Sequence, residues 1–248
     1  MFVSYYCHLI SNLCIYISHF AISYIFIAVD IEGAGEPVRL AFILAGIPFE
    51  DDRIKYADWP VLKPKTPNGQ LPVLTINDGP MRSQSGAMIR YAGTLDSTGS
   101  LYPKEKLYEI EEALGLIGDM QKSWTPPLYI GMRPSAFGYP DDFNKSSEGK
   151  AKVESMRKEW IAKELPTFLS RFEDMIKQNG GMFLCGGSKP TIADCMAVPA
   201  IRNYTRGHVD YVDVNCVKEA NPKIAEYVER FCALPEIKGR YSTGLGSS

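Results

Sequence analysis

The residues with the clearest chemical content lie between Trp59 and Tyr91. Gly69-Gln70-Leu71-Pro72-Val73-Leu74 leads through an Asn77-Asp78-Gly79-Pro80 turn to Gln84-Ser85, and Gly86 to Tyr91 then carries apolar residues at helical spacing. Leu71 and Pro72 read as extended chain entering a strand, because proline has no N–H for a ladder and regular pairing stops there. Ser85 reads as the start of an amphipathic helix, where unpaired N–H groups and the positive end of the dipole attract an anion. Such a surface can hold a small, extended, anionic peptide.

Those residues need elements to position them, and the flanking sequence supplies an alternation of strand and helix. Tyr24 to Val29 is β-branched and aromatic and suits a buried first strand. Glu36 to Ala45 has apolar residues at helical spacing, and Phe49 to Tyr56 alternates like a strand. A loop through Trp59, Lys63, Pro64 and Pro67 follows, then strands at Val73 to Ile76 and Met81 to Ser83, and a helix from Ser85 to about Gly93. Residues 94–103, with Asp96-Ser97-Thr98-Gly99-Ser100 and Pro103, form a polar linker. Residues 104–248 read as all-helical, with helices at Leu107–Lys122, about Ala151–Asn179, Thr191–Asn203 and Ile224–Leu234. Pro190-Thr191-Ile192-Ala193-Asp194 is a capping box at one of these starts. The predicted fold is therefore an α/β domain over 24–93 and an all-α domain over 104–248.

Composition narrows the function further. The chain has 248 residues, 45% of them hydrophobic, which is enough for one large domain or two small ones, each with a core. A formal net charge of -2 and no basic stripe with interleaved aromatics argue against nucleic acid as a partner. The six cysteines, Cys7, Cys14, Cys185, Cys195, Cys216 and Cys232, form no CxxC pair and have no histidine at ligand spacing. They read as reduced, buried and not metal-binding, which suits the cytoplasm. Met1 to Val29 contains no Asp, Glu, Lys or Arg. It is too interrupted by Ser18, His19 and Ser23 for a clear membrane span and lacks the positive region of a signal peptide. Residues 1–23 admit three readings: a loosely packed extension, a weak membrane anchor, or a misplaced start of the reading frame. Membrane association is not the expectation, although residues 1–29 leave it open.

Taken together, Glu36-Pro37-Val38-Arg39-Leu40, Gly69-Gln70-Leu71-Pro72-Val73-Leu74, Gln84-Ser85 and the Thr191/Asp194 cap resemble a cytosolic glutathione transferase, and within that family the sigma-like group. The resemblance covers roughly residues 24–235. It implies a thioredoxin-like N-terminal domain, an all-helical C-terminal domain, a homodimer, and glutathione as co-substrate with no other cofactor. By position, Trp59 and Lys63 would hold the glycine carboxylate of glutathione, with Gln70 supporting that end. The Leu71 backbone would pair with the cysteinyl unit, Pro72 matches the family's cis-proline, and Gln84 and Ser85 would meet the γ-glutamyl carboxylate. Asp119 aligns with a carboxylate that reaches the γ-glutamyl amine of the neighbouring subunit. Each also has an ordinary structural reading: Trp59 as a loop aromatic, Lys63 as a solvated charge, Gln84-Ser85 as a plain helix start. Glu36 and Arg39 read as structural and stand outside the site.

The reaction such a family member performs needs a thiolate, and a free thiol with a pKa of about 8.5 is only a few per cent ionised at neutral pH. In the sigma-like pattern a tyrosine hydroxyl eight residues before the helix glutamate supplies a hydrogen bond to the sulfur. Eight before Glu36 is Ala28. Tyr24 is four strand residues away, roughly 13 Å, and a loop arginine of the pattern is replaced by Ala34. The binding half of the site is thus present and no catalytic residue is assigned. Conjugation of glutathione to small hydrophobic electrophiles stands beside two alternatives: glutathione binding with little catalysis, and isomerisation of a prostaglandin-like endoperoxide. A structural protein of the lens-crystallin kind is a third class. Trp124, Tyr129 or Tyr204 is expected in the acceptor pocket.

Overall fold

The computed structural model describes residues 22–241. The segment 1–21, which carries most of the apolar N-terminal extension together with Cys7 and Cys14, lies outside the described residues. The chain forms two compact units, one comprising residues up to Asp30 with Pro48–Gln84, the other Ile31–Ile47 with the residues from Ser85 onward.

The first unit is built on a three-stranded sheet in the order β2-β1-β3. Strand β1 (Tyr24–Val29) is central, parallel to β2 (Glu50–Ile54) and antiparallel to β3 (Val73–Ile76), with Phe26 opposite Asp51 on one side and Leu74 on the other. The apolar run of β1 follows from that position, since Tyr24, Phe26, Ile27 and Ala28 are all buried. Strand β2 carries Glu50, Asp51, Asp52 and Arg53, charges that protect an edge from further pairing. The strand expected over Met81–Ser83 does not form. Only Arg82 pairs, exchanging both backbone hydrogen bonds with Leu74 at 2.9 Å. Pro80 has no N–H to extend the ladder, and Gln84 turns the chain away with a φ of 78°. Between β2 and β3 lie the one-turn helix α2 (Trp59–Leu62) and 3₁₀ turns at Lys63–Lys65 and Pro67–Gly69.

The second unit is helical. Helix α1 (Glu36–Leu44) has Pro37 in its first turn, where a missing N–H costs nothing. It packs on α3 (Ser85–Thr94) and on α6 (Ile192–Arg202), and α6 also packs against α4 (Leu107–Tyr129). Every residue of α6 except Met196 is buried. Helix α3 approaches the start of α6 so closely that a Cβ at Gly93 would lie 2.7 Å from Ile192 Cγ2. The expected capping box is formed at Thr191 and Asp194, with Asp194 Oδ2 accepting from the Thr191 N–H at 2.7 Å. The same carboxylate reaches further than local sequence indicates, its Oδ1 accepting from the Leu184 N–H at 2.9 Å and the Tyr227 hydroxyl at 2.8 Å.

Helix α4 does not stop at Lys122 but continues through Pro126 and Pro127 to Tyr129. Two carbonyls near its end are satisfied from α5 (Ser147–Gln178), where buried Arg157 donates to Pro127 O at 3.1 Å and Leu128 O at 3.2 Å, and also to Asp210 O at 3.0 Å outside the helix. The helices α7 (Cys216–Ala220) and α8 (Pro222–Cys232) complete the unit, and α7 has no counterpart in the sequence reading. Strand–helix–strand, loop, strand and helix, followed by helices alone, is the thioredoxin-like α/β part and the all-helical part that the sequence predicts. Cys185, Cys195, Cys216 and Cys232 are buried free thiols. Burial pushes Cys185 and Cys216 up to about 12, leaving them protonated and unreactive at neutral pH. Among the described residues no helix is long and apolar enough to cross a membrane.

Candidate functional site

Six of the eight residues singled out from sequence lie in the first unit. Trp59 is the half-buried first residue of α2, and exposed Lys63 follows that turn directly. The Lys63 stem lies along Gly69, where an added Cβ would stand 3.4 Å from Lys63 Cε. Asn68 and Gly69 both have positive φ, 59° and 57°, which glycine and asparagine tolerate better than other residues. Asn68 Nδ2 donates to Ser83 Oγ at 3.1 Å and so ties this loop to the residues preceding Gln84. Gln70 is extended and exposed, and the Leu71-Pro72 peptide that follows is cis, with Pro72 buried. Gln84 is exposed in a left-handed conformation that side chains other than glycine seldom adopt, the kind of local exception found at ligand sites. Ala28 is buried in β1, so that strand position carries no hydroxyl.

The second unit holds Ser85 and Asp119. Ser85 opens α3 and borders a cavity of about 320 Å³, whereas exposed Asp119 on α4 does not line it. One wall comes from the chain before α1, at Glu32, Gly33 and Ala34, with Pro37; a second from Ser85, Gly86 and Ile89 of α3. The other walls are helix faces. Gln121, Trp124, Thr125 and Leu128 of α4 repeat at i, i+3, i+4 and i+7, and Met196, Pro199, Ala200, Asn203 and Tyr204 do the same along and just past α6. Trp124, Tyr129 and Tyr204 therefore all line one cavity. Apart from Ser85, the other wall residues were not assigned to a site from sequence. The helical spacing around Trp124 and Tyr204 was the available signal, but the same spacing describes any buried face.

The cavity walls are held in two ways. Trp124, Trp160 of α5 and Tyr204 form an aromatic cluster, with centroids 4.8 Å apart for the two tryptophans, 5.2 Å for Trp124 and Tyr204, and 5.1 Å for Trp160 stacked on Tyr204. Burial raises the Tyr204 hydroxyl far above its ordinary range, so it stays protonated. On the other side the loop ahead of α1 is fastened by ion pairs. Glu32 accepts from Arg202 Nε at 3.2 Å and Nη2 at 3.3 Å, and Arg206 lies at 3.6 Å. The Arg202 guanidinium sits 4.2 Å over the Tyr241 ring. Glu36 is fully buried and accepts from the Tyr241 hydroxyl at 2.6 Å, from Arg240, and from Arg39 at 3.4 Å. Arg39 also donates to the Ile31 carbonyl at 3.3 Å. Burial alone would raise the Glu36 carboxyl, but Arg240, Tyr241 and Arg39 outweigh it and hold the group below its ordinary value. Glu36 and Arg39 thus brace the loop that walls the cavity. Arg90 joins α3 to α4, donating to Gly86 O at 2.7 Å and to Glu111, which also accepts from Tyr102 at 2.6 Å. Among the described residues no three His, Cys, Asp or Glu side chains meet as a metal site.

The first unit thus carries a thioredoxin-like sheet with a cis-proline loop, and the second a helical bundle with a cavity at a helix start, the two parts of a transferase architecture. Residues 142–241 match the family model described as "Glutathione S-transferase, C-terminal domain". Glutathione S-transferase 1 of Ascaris suum is 32% identical over 209 residues, which are 84% of this chain and 90% of that protein. The class-mu 28 kDa glutathione S-transferase isozyme of Schistosoma japonicum is 30% identical over 215 residues, 85% of this chain and 92% of that protein. The crystal structure of the glutathione S-transferase from Ascaris lumbricoides superposes with a TM-score of 0.63 at 26% identity, covering 90% of this chain and 97% of that one. The chain belongs to the glutathione S-transferase family.

Proposed function

We propose that this protein is a glutathione transferase that joins the glutathione thiolate to small hydrophobic electrophiles, with glutathione as co-substrate and no further cofactor. The observation that carries the reading is the cavity in the second unit, which runs from Ser85 at the start of α3 to the aromatic wall of Trp124 and Tyr204. A helix start suits an anion, and an apolar pocket of this size suits a small electrophile. In this reading residues 24–93 form the glutathione-binding domain. Trp59, Lys63 and Gln70 hold the glycine end, the Leu71 backbone beside Pro72 takes the cysteinyl unit, and Gln84 and Ser85 take the γ-glutamyl carboxylate. Asp119, exposed on α4, reaches the γ-glutamyl amine of a second subunit in a homodimer. A sigma-like class, a detoxifying role and a cytoplasmic location belong to the same proposal, the last supported by the buried reduced cysteines.

Ala28 sharpens the test. With no hydroxyl at that position, the thiolate has to be stabilised by another donor, or turnover is slow. Conjugation of glutathione to a chloronitrobenzene by the chain as it stands distinguishes the outcomes. Turnover well above the uncatalysed rate supports the transferase and shows that no tyrosine at position 28 is needed. Glutathione binding without turnover replaces it with a binding protein, and no binding at millimolar glutathione overturns both.

A further inference from the structure

The cavity has one wall whose own residues cannot hold it in place. Gly33 and Ala34 line it and Gly35 follows, three residues with no side chain able to reach an anchor, and Gly35 gives α1 no side-chain cap. The bond from the Glu36 N–H to Gly33 O at 3.0 Å is local, so it fixes the shape of this turn rather than its place. Glycine also leaves such a segment freer than other residues would. Its place is set at its two ends, by Glu36 at the head of α1 and by Glu32. Glu32 is bound to Arg202 of α6, and the same helix gives Met196, Pro199 and Ala200 to another wall. The ion pair therefore links two walls and sets the distance between them.

The chemistry of the pair suits positioning. The Arg202 side chain is completely buried and gives both of its hydrogen bonds to the one carboxylate, from Nε to Oε2 and from Nη2 to Oε1, while Nη1 makes none. A buried pair with a donor left over adds little net stability, because taking both charges out of water offsets most of their attraction. What a planar two-point contact does supply is a fixed geometry. Arg206 shows the contrast: its Nε lies 3.6 Å from the same carboxylate and makes no hydrogen bond. Arg202 does not itself line the cavity, so whatever it does to a ligand it does through the loop. We propose that Arg202 is a positioning residue for the electrophile, which through Glu32 holds the 32–35 loop against a small ligand and so sets the size of molecule the cavity prefers. This rests on reading the cavity as the electrophile pocket and adds what fixes its width.

Two molecules that do not react with thiols supply the test, 2-naphthol and 1-hydroxypyrene, which share a hydroxyl and differ in size. Their dissociation constants are measured by equilibrium dialysis for the unaltered protein and for each variant. In Arg202→Met the ratio of the two constants is expected to shift by about tenfold toward the larger ligand, because a wall no longer held in place loses contact with a small body and gives room to a large one. Arg202→Lys keeps the charge without the two-point contact, and Glu32→Gln weakens that contact from the loop side; each is expected to shift the ratio part of the way. Arg206→Gln takes no hydrogen bond from Glu32 and is expected to leave the ratio unchanged. Melting temperature reports whether each variant is folded, and Glu32→Gln decides the matter where Arg202→Met does not fold. An unchanged ratio in Glu32→Gln and in the folded Arg202 variants overturns the proposal. So does equal weakening of both ligands, the result of a merely structural role, or a shift in Arg206→Gln as large as that in the Arg202 variants. Because neither probe reacts, a failure of the transferase reading shows separately, as absence of glutathione conjugation by the unaltered protein.

Discussion

Glu36→Gln removes one negative charge from a site with no access to water while changing almost no volume. Glu36 is fully buried and receives Arg240, Tyr241 and Arg39, and the Arg39 side chain is itself completely buried. Breaking a buried ion pair by deleting one partner costs about 3–5 kcal/mol, because the remaining charge stays desolvated. The glutamine carbonyl can still accept from the Tyr241 hydroxyl, and Arg240 is partly exposed, so the lower end, about 3 kcal/mol, is the expectation. In a chain of this size that lowers the melting temperature by about 10 °C. The pH dependence gives an independent check. The folded-state value of Glu36 lies below the ordinary glutamate value of 4.5, so the stability it contributes is fully present above the unfolded value. That stability is lost as pH falls through the folded value, and Gln at position 36 has none of it to lose. The stability difference between the two proteins, measured by urea unfolding, should be flat above about pH 5 and should narrow below about pH 4. A loss under about 1 kcal/mol at pH 7, or a difference that does not narrow in acid, refutes the argument that a buried charge network braces this loop.

Three further outcomes follow from the same structure. Ser85→Ala should raise the dissociation constant of glutathione about tenfold by calorimetry, the worth of a hydrogen bond to a charged group; unchanged affinity would remove Ser85 from the site. Ala28→Tyr should raise the turnover of glutathione conjugation about a hundredfold by placing a donor beside the thiolate. It should also cost about 2 kcal/mol of stability, since Ala28 is only 3% exposed, and both are read from initial rates and melting curves on one preparation. Asp194→Ala should cost about 3 kcal/mol in urea unfolding, because the Leu184 N–H, the Tyr227 hydroxyl and the Thr191 N–H lose their acceptor together. A loss near 1 kcal/mol would mean that the carboxylate acts only as a local cap.

The sequence by itself determined what local patterns can express. Tyr24 to Val29 has the unbroken apolar character of a central strand, the spacing in Glu36 to Leu44 is that of a one-sided helix, and Thr191 with Asp194 makes a helix start within four residues. These patterns depend on residues close in the chain, whose periodicity and capping chemistry are set locally. The loop carrying Gln70, Leu71 and Pro72 and the helix start at Ser85 were legible for the same reason. The end of α4 was not, because the Pro127 and Leu128 carbonyls are satisfied by Arg157, reaching across from α5. Nor was the strand at Met81 to Ser83 ruled out before the backbone showed Gln84 in a left-handed conformation. The cavity belongs wholly to tertiary structure. Trp124 and Tyr204 are 80 positions apart in the chain, and the spacing around each describes any buried helix face equally well. Only packing decides that one such face closes a core while another stays open, that Trp124 keeps an N–H without a partner, and that Glu36, at the head of α1, meets Arg240 and Tyr241 from the far end of the described chain. Contacts of that range depend on where distant elements come to rest, which no local pattern encodes.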